Sequence, residues 1–307
     1  MCAYLGSASE AWAISMLNLS WFTPGRGRLL LQLLVIGVAI VSCGRDAPQK
    51  TQIVFVASET TVEIPAGTSE LGLGERLFIN RSFAWRDGLL HVPPILAGNR
   101  PAPMLIWLHG GGGHARDAKK LFPFADEFGV VVLALDSRHN TWDGIDAPFG
   151  PDVHYIERSM KHVSEKVSID PDRIALGGAS DGGTYALALG RSNGRVFSHI
   201  IAVSPWRLDP PAPVQGDPRI FVAHGLQDDV YPEWHSRRFL VPSLRDDGYD
   251  VTYFPHDGPH WVTSVSARAL MNWFVEDSWQ EAKGNLASCS ADNPPQPSSG
   301  LECVPKG

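Results

Sequence analysis

Gly178-Ala179-Ser180-Asp181-Gly182 is a G-x-S-x-G sequence that joins a strand at residues 173–176 to a helical run at residues 184–189. In that setting a serine sits on a tight, strained turn at the carboxyl end of a strand. Glycines are required because strand and helix approach closely. The helix turns its positive N-terminus toward the hydroxyl, which favours a developing negative charge there. A chain with 30 glycines can also place such a pentapeptide in an ordinary loop, so the surrounding motifs decide the reading.

Three further segments bear on it. Leu108-His109-Gly110-Gly111-Gly112-Gly113 follows an apolar strand at residues 104–108. Backbone N–H groups without side chains in the way can approach a carbonyl oxygen that becomes charged during acyl transfer. Gly111 or Gly112 is the expected first donor, and the backbone N–H of Asp181 the second. No Lys stands where a phosphate loop needs one. His224-Gly225-Leu226-Gln227-Asp228-Asp229 follows a strand at residues 220–223. Asp228 is the expected carboxylate that orients a histidine, with Asp229 as the alternative and His224 read as a turn residue. His256-Asp257-Gly258-Pro259-His260-Trp261 follows a strand at residues 251–254. His260 is the expected general base, with His256 as the alternative.

Strands and helices alternate along this stretch. Residues 104–108, 129–135, 173–176, 200–203, 220–223 and 251–254 are short apolar runs of the kind buried on both faces of a parallel sheet. Val153, Ile156, Met160, Val163 and Val167 form one helical stripe, Asp170-Pro171-Asp172 reads as a turn, and residues 262–274 read as a closing helix. Residues 53–56, 61–64 and 81–85 read as edge strands. The expectation is an α/β fold with a mostly parallel central sheet and helices on both faces.

The candidates run in the order Ser180, Asp228, His260, each after a strand, with the glycine loop ahead of them. That order is the one of the α/β-hydrolases. On residues 107–113, 170–183, 221–232 and 253–261, the region from about Gly88 to Val275 resembles their phospholipase/carboxylesterase branch and is similar to polyhydroxybutyrate depolymerase and feruloyl esterase-like hydrolases. The resemblance implies a serine carboxylic-ester hydrolase working through an acyl-enzyme, with no metal or organic cofactor. A peptidase or amidase on the same fold and a non-catalytic envelope-binding protein are the alternatives. Asp181 departs from the pattern, since many members carry a small or apolar residue there. Its carboxylate opposes the oxyanion unless it points away. Trp142, Trp206 and Trp261 lie in or beside strand-end loops, where they line an acyl or aryl pocket or simply pack.

Composition bounds the rest. The 307 residues are 44% hydrophobic and 19% charged, and 33 acids against 26 bases give a net charge of −7. A packed core is expected and nucleic-acid binding is not. Arg26 and Arg28 precede an apolar run, residues 29–42, that is too short to span a membrane and suits a secretory signal. It ends in Ile40-Val41-Ser42-Cys43, which resembles a bacterial lipobox, with an ordinary cleaved signal or an uncleaved anchor helix as the alternative. The expected layout is a signal over residues 1–43 with lipidation at Cys43, a tether over 44–50, the hydrolase domain over 51–281 and a Pro/Ser-rich tail over 282–307. Translation from Met16 fits the signal better than from Met1. Export allows a Cys289–Cys303 disulfide in the tail. The partners are then a small-molecule or lipid-like ester and the membrane holding the lipid anchor. Gly44 and Arg45 carry no inner-membrane retention signal, so by resemblance to bacterial lipoproteins the outer membrane, facing the periplasm, is the expected place.

Overall fold

The apolar runs become the middle of an eight-stranded sheet. The computed structural model describes residues 50–57, 66–79, 82–96 and 101–287, all within one compact unit, Asp46–Gly307. The signal with Cys43, the strand expected at residues 61–64, and Cys289 and Cys303 lie outside the described residues. The strands are β1 (Gly67–Glu70), β2 (Glu75–Ile79), β3 (Ser82–Arg86), β4 (Gly88–Val92), β5 (Ala102–Leu108), β6 (Val131–Leu135), β7 (Ile169–Ala179), β8 (His199–Val203), β9 (Arg219–Gly225) and β10 (Val251–His256). The helices are α1 (Phe122–Phe128), α2 (Pro151–Ser164), α3 (Asp181–Ser192), α4 (Glu233–His235), α5 (Val241–Asp246) and α6 (Ser264–Ala287).

The sheet order is β1-β4-β6-β5-β7-β8-β9-β10. From β6 to β10 all neighbours are parallel. The short strands β1 and β4 add an antiparallel edge. Alternation along β5 sends Met104, Ile106 and Leu108 to one face, against residues of α2 and α3 such as Val153, Ile156 and Leu189. Leu105 and Trp107 go to the other, with Phe122 of α1 and Leu270, Met271 and Phe274 of α6. Both faces are therefore dry, which is why the strands read as continuous apolar runs. The expected α/β fold holds. The chain leaves β5 for β6 on one side and returns to β7 on the other, so the carboxyl ends of β5 and β7 flank a switch point, where such sheets form their clefts.

Four expectations change. Residues 53–56 are not a strand: Ile53 N–H donates to Asn193 Oδ1 at 2.7 Å and Val54 N–H to Glu157 Oε1 at 2.9 Å, so side chains of the helical layer take the place of a strand partner. Residues 81–85 do give β3, but it pairs with β2 in a separate antiparallel hairpin. Asp170-Pro171-Asp172 falls within β7 as an irregularity, where the register steps from Ala102↔Ile169 to Met104↔Ile174. Finally, α6 continues to Ala287, past the start at 282 expected for the irregular tail.

Candidate active site

Ser180 is the residue between β7 and α3. Its backbone has φ 55° and ψ −121°, a conformation non-glycine residues seldom adopt. Tertiary contacts over-determine it: Ser180 N–H donates to Val203 O at 2.8 Å, and Ser180 O accepts from Thr184 N–H at 2.9 Å and Thr184 Oγ1 at 3.0 Å. The flanking glycines permit the close approach, since a Cβ on Gly182 would stand 2.2 Å from Leu108 O and one on Gly178 2.4 Å from the Gly182 carbonyl carbon. Strand β5, strand β7 and helix α3 thus meet backbone to backbone, and Ser180 is 7% exposed at their junction.

His260 and Asp228 come from the loops after β10 and β9. Their parallel pairing in register brings those loops together, with Leu226 N–H donating to His256 O and Gln227 N–H to Gly258 O. His260 Nδ1 donates to Asp228 Oδ2 at 2.7 Å. Asp228 Oδ1 accepts from the N–H groups of Val230 at 2.9 Å and Tyr231 at 2.7 Å. Burial works against the charged carboxylate, but the bond from His260 and those two N–H groups outweigh it and hold the carboxyl below its ordinary pKa. His260 Nε2 is buried and has no hydrogen-bond partner among the described residues. That nitrogen is the one available to take a proton. The alternatives are placed differently. Asp229 is exposed, and His256 is buried with neither ring nitrogen hydrogen-bonded among the described residues.

The glycine loop lies against Ser180: a Cβ on Gly110 would be 3.3 Å from Ser180 Cβ. Gly112 N–H donates to Asn140 O at 2.7 Å and Gly113 N–H to Gly110 O at 2.9 Å. Gly112 is therefore committed within the loop, which leaves Gly111 of the two expected donors. Its counterpart, Asp181 N–H, opens α3. The Asp181 carboxylate does not turn away from this loop. Its Oδ2 accepts from Thr141 Oγ1 at 2.7 Å and stands where a Cβ on Gly111 would be 2.6 Å from it.

Support for the loop comes from side chains to which the sequence assigned no role. His109 Nδ1–H donates to Gly110 O at 2.6 Å, and its Nε2 accepts from Ser137 N–H at 3.0 Å. Burial lowers its pKa to about 4, so the ring is neutral and holds one tautomer. Arg86, at the end of β3, donates to Gly113 O at 3.0 Å and His139 O at 2.5 Å and contacts His114 Nδ1 at 2.8 Å.

The three tryptophans separate. Trp142 is fully buried and its indole N–H donates to His109 O at 2.8 Å, so it packs behind the glycine loop. Trp206 is 39% exposed and Trp261 55%. Trp261 meets the His260 ring edge-on at 4.9 Å, and Trp206 reaches His260 through Tyr231, with ring distances of 5.3 Å for each step. A cavity of about 1250 Å³ between α2 and residues 54–57 lies apart from this site and is lined by none of its residues. No group of three or more metal-ligating side chains occurs among the described residues.

No family model matches the chain. A protein of Nocardia uniformis subsp. tsuyamanensis named "Putative esterase NocK" is 26% identical over 198 residues, which is 61% of this chain and 57% of that protein. The chain thus matches little more than half of that relative's length. Among solved structures, the esterase PE8 is similar with a TM-score of 0.50 at 20% identity, over 61% of this chain and 96% of that one. The S-formylglutathione hydrolase FrmB of Staphylococcus aureus has a TM-score of 0.51 at 13% identity, over 70% of this chain and 100% of that one. FphF, a fluorophosphonate-binding serine hydrolase of Staphylococcus aureus, has 0.50 at 14%, over 69% and 99%. At these identities the likeness is one of fold, and it agrees with the sheet order and the strand-end cluster: the chain has the α/β-hydrolase fold, as its motifs led one to expect.

Proposed function

We propose that the chain is a serine carboxylic-ester hydrolase. The observation that carries the reading is the 2.7 Å bond between His260 Nδ1 and Asp228 Oδ2, which leaves His260 Nε2 without a partner among the described residues while Gly110 of the glycine loop lies against both Ser180 and Trp261, the neighbour of His260. Ser180 Oγ attacks the ester carbonyl carbon while His260 Nε2 takes its proton. The carbonyl oxygen becomes an oxyanion, held by the N–H groups of Gly111 and Asp181. The bond to the alcohol oxygen breaks and His260 returns the proton to that leaving group. Water then gives a proton to His260 and attacks the acyl carbon, the bond to Ser180 Oγ breaks as His260 returns the proton to that oxygen, and the acid is released. Asp228 holds the imidazole in the tautomer that presents Nε2 to Ser180 and stabilises the imidazolium. The exposed indoles of Trp206 and Trp261 suit an ester with an apolar or aromatic group.

The test is labelling of the full chain with a fluorophosphonate probe, beside Ser180→Ala. Labelling of the wild type alone supports an activated nucleophile at Ser180. A folded wild type that neither labels nor hydrolyses p-nitrophenyl acetate overturns the reading.

The membrane-anchored, exported placement rests on residues 26–43 of the sequence. Incorporation of labelled palmitate in a bacterial host, lost in Cys43→Ala, is the expected result, and equal incorporation in both would reject the anchor.

A further inference from the structure

His224, the next-to-last residue of β9, is fully buried and stands four positions before Asp228. Its Nε2 lies 2.8 Å from Tyr231 O. A carbonyl oxygen only accepts, so Nε2 carries a proton. Its Nδ1 lies 2.8 Å from Ser236 Oγ, another fully buried atom. In the neutral ring Nδ1 accepts and Ser236 donates, so the two contacts agree on one tautomer. Ser236 opens a single π-helical turn, Ser236–Leu240, between α4 and α5. Such turns are rare and concentrate at functional sites.

His224 Nε2 also lies 3.0 Å from Asp228 Oδ2, a close contact rather than a hydrogen bond, since its N–H is given to Tyr231 O. This is the same oxygen that meets His260 Nδ1. The two histidines therefore bracket one carboxylate oxygen, while the other oxygen is filled by Val230 and Tyr231 N–H. A histidine that served only the turn would be satisfied by Tyr231 and Ser236. The 3.0 Å contact with Asp228 sets it against the reacting end of the site as well.

We propose that His224 is a positioning residue for Asp228 and His260: its ring, held in one orientation by Ser236 and Tyr231, packs its positive Nε2–H edge against Asp228 Oδ2, which keeps that oxygen aimed at His260 and stabilises its charge. This rests on the reading of the chain as a serine hydrolase. A positive N–H edge beside Oδ2 weakens the hold of the carboxylate on the His260 imidazolium, so removing that edge strengthens the hold. The other titratable groups near the pair are His256 and His235, each lowered in pKa by burial and then by His224, together with Asp257, which faces His256. Asp181 joins the cluster through Tyr231, whose phenol lies 3.4 Å from Asp181 Oδ1.

The experiment uses the full chain, p-nitrophenyl acetate and the fluorophosphonate probe, with His224→Ala, His224→Gln and Ser236→Ala. Wild type is measured first: failure of wild type to label overturns the hydrolase reading, whereas labelling isolates the role of His224. In His224→Ala the expected result is a fall in kcat of about tenfold or more with KM within about twofold, the size expected for loss of an orienting partner. The acidic limb of kcat/KM moves to higher pH. In His224→Gln, whose amide N–H can return a positive edge beside Oδ2, most of the rate and the original limb are regained. Ser236→Ala shifts the limb in the same direction by less. Wild-type kcat and pH profile in folded His224→Ala overturn the proposal. So does a rate loss in all variants that merely tracks their folded fraction. Should His224→Ala not fold, an unchanged acidic limb in Ser236→Ala together with a wild-type profile in it at full folding overturns the proposal equally.

Discussion

Arg86 Nη1 donates to Gly113 O at 3.0 Å, although the two residues belong to an edge hairpin and to the loop after a central strand. The guanidinium is 3% exposed on its side chain and 3.9 Å from Asp136 Oδ1. It ties Gly113 and His114 to Ser137 and His139 and so braces the loop that bears Gly111. Arg86→Met removes every one of these bonds and leaves Asp136 buried without its cation. A stability loss of about 3–5 kcal/mol is expected from such a broken buried pair. Urea denaturation measures it. Fluorophosphonate labelling of the folded fraction should also slow, because the oxyanion donors lose their support.

Asp181 places a negative side chain against the same loop, beside Gly111. In the proposed mechanism it lends its backbone N–H while its side chain opposes charge on the oxyanion. Asp181→Asn keeps the N–H and removes the charge. At the effective dielectric of a partly exposed site, a charge several ångströms from the oxyanion is worth ~1–3 kcal/mol, less what Thr141 and Tyr231 already screen. The expected result is a rise in kcat of several-fold with p-nitrophenyl acetate at neutral pH. In a folded protein an equal kcat would show that the carboxylate does not act on the oxyanion, and a lower one that it is needed.

Asp152 and Asp143 form a buried pair beneath the segment that supplies Asn140, Thr141 and Trp142. Asp152 Oδ2 accepts from Asp143 N–H and Asp143 Oδ2 from Asp152 N–H, each at 2.7 Å. Burial first, and then Asp143, raise the Asp152 pKa from 3.8 to about 7. A carboxyl whose folded pKa is raised contributes stability that is complete below its unfolded pKa and is lost as pH rises through the folded value. Stability from this group should therefore fall between about pH 4 and pH 7. His109, lowered from 6.5 to about 4, acts oppositely and costs stability as pH falls through that range. The two are separated by comparison: Asp152→Asn should flatten the downward contribution, so its stability relative to wild type rises from pH 5 to pH 7.5 in urea denaturation.

Trp206 and Trp142 should respond differently to truncation. Trp206→Ala removes a partly exposed indole stacked on His235 at 3.8 Å, with expected effects on KM for aryl esters and little on the thermal midpoint. Trp142→Ala empties a fully buried site and frees His109 O. A loss of about 3–5 kcal/mol is expected for such a core truncation. Comparing KM for phenyl and ethyl esters with melting curves of both variants checks the contrast.

Much of this arrangement was legible along the chain. The central strands are buried on both faces, so each is written as a short apolar run, and a turn residue with special chemistry must follow it. Ser180, Asp228 and His260 could be found because each sits in the turn or loop that follows such a run, and glycines mark the close approaches at Gly178 and Gly182. These are local constraints, and local sequence records them. The edge of the sheet left a weaker mark. Gly67–Glu70 is short and wholly exposed, so no apolar period announces it, and β-favouring residues at 53–56 were captured instead by Asn193 and Glu157.

The sequence by itself determined the order of the chemical groups, the strand that presents each, and the alternation that makes the sheet parallel. Only the tertiary structure decided which neighbours complete the site. Whether Gly111 or Gly112 keeps a free N–H depended on Asn140, and the direction of the Asp181 carboxylate depended on Thr141. Arg86 and His224 joined the site through side chains reaching across the fold. The physical reason is the range of the forces. Burial and backbone conformation act on a residue where it stands in the chain, whereas a hydrogen bond between distant residues exists only once packing has brought donor and acceptor within 3 Å.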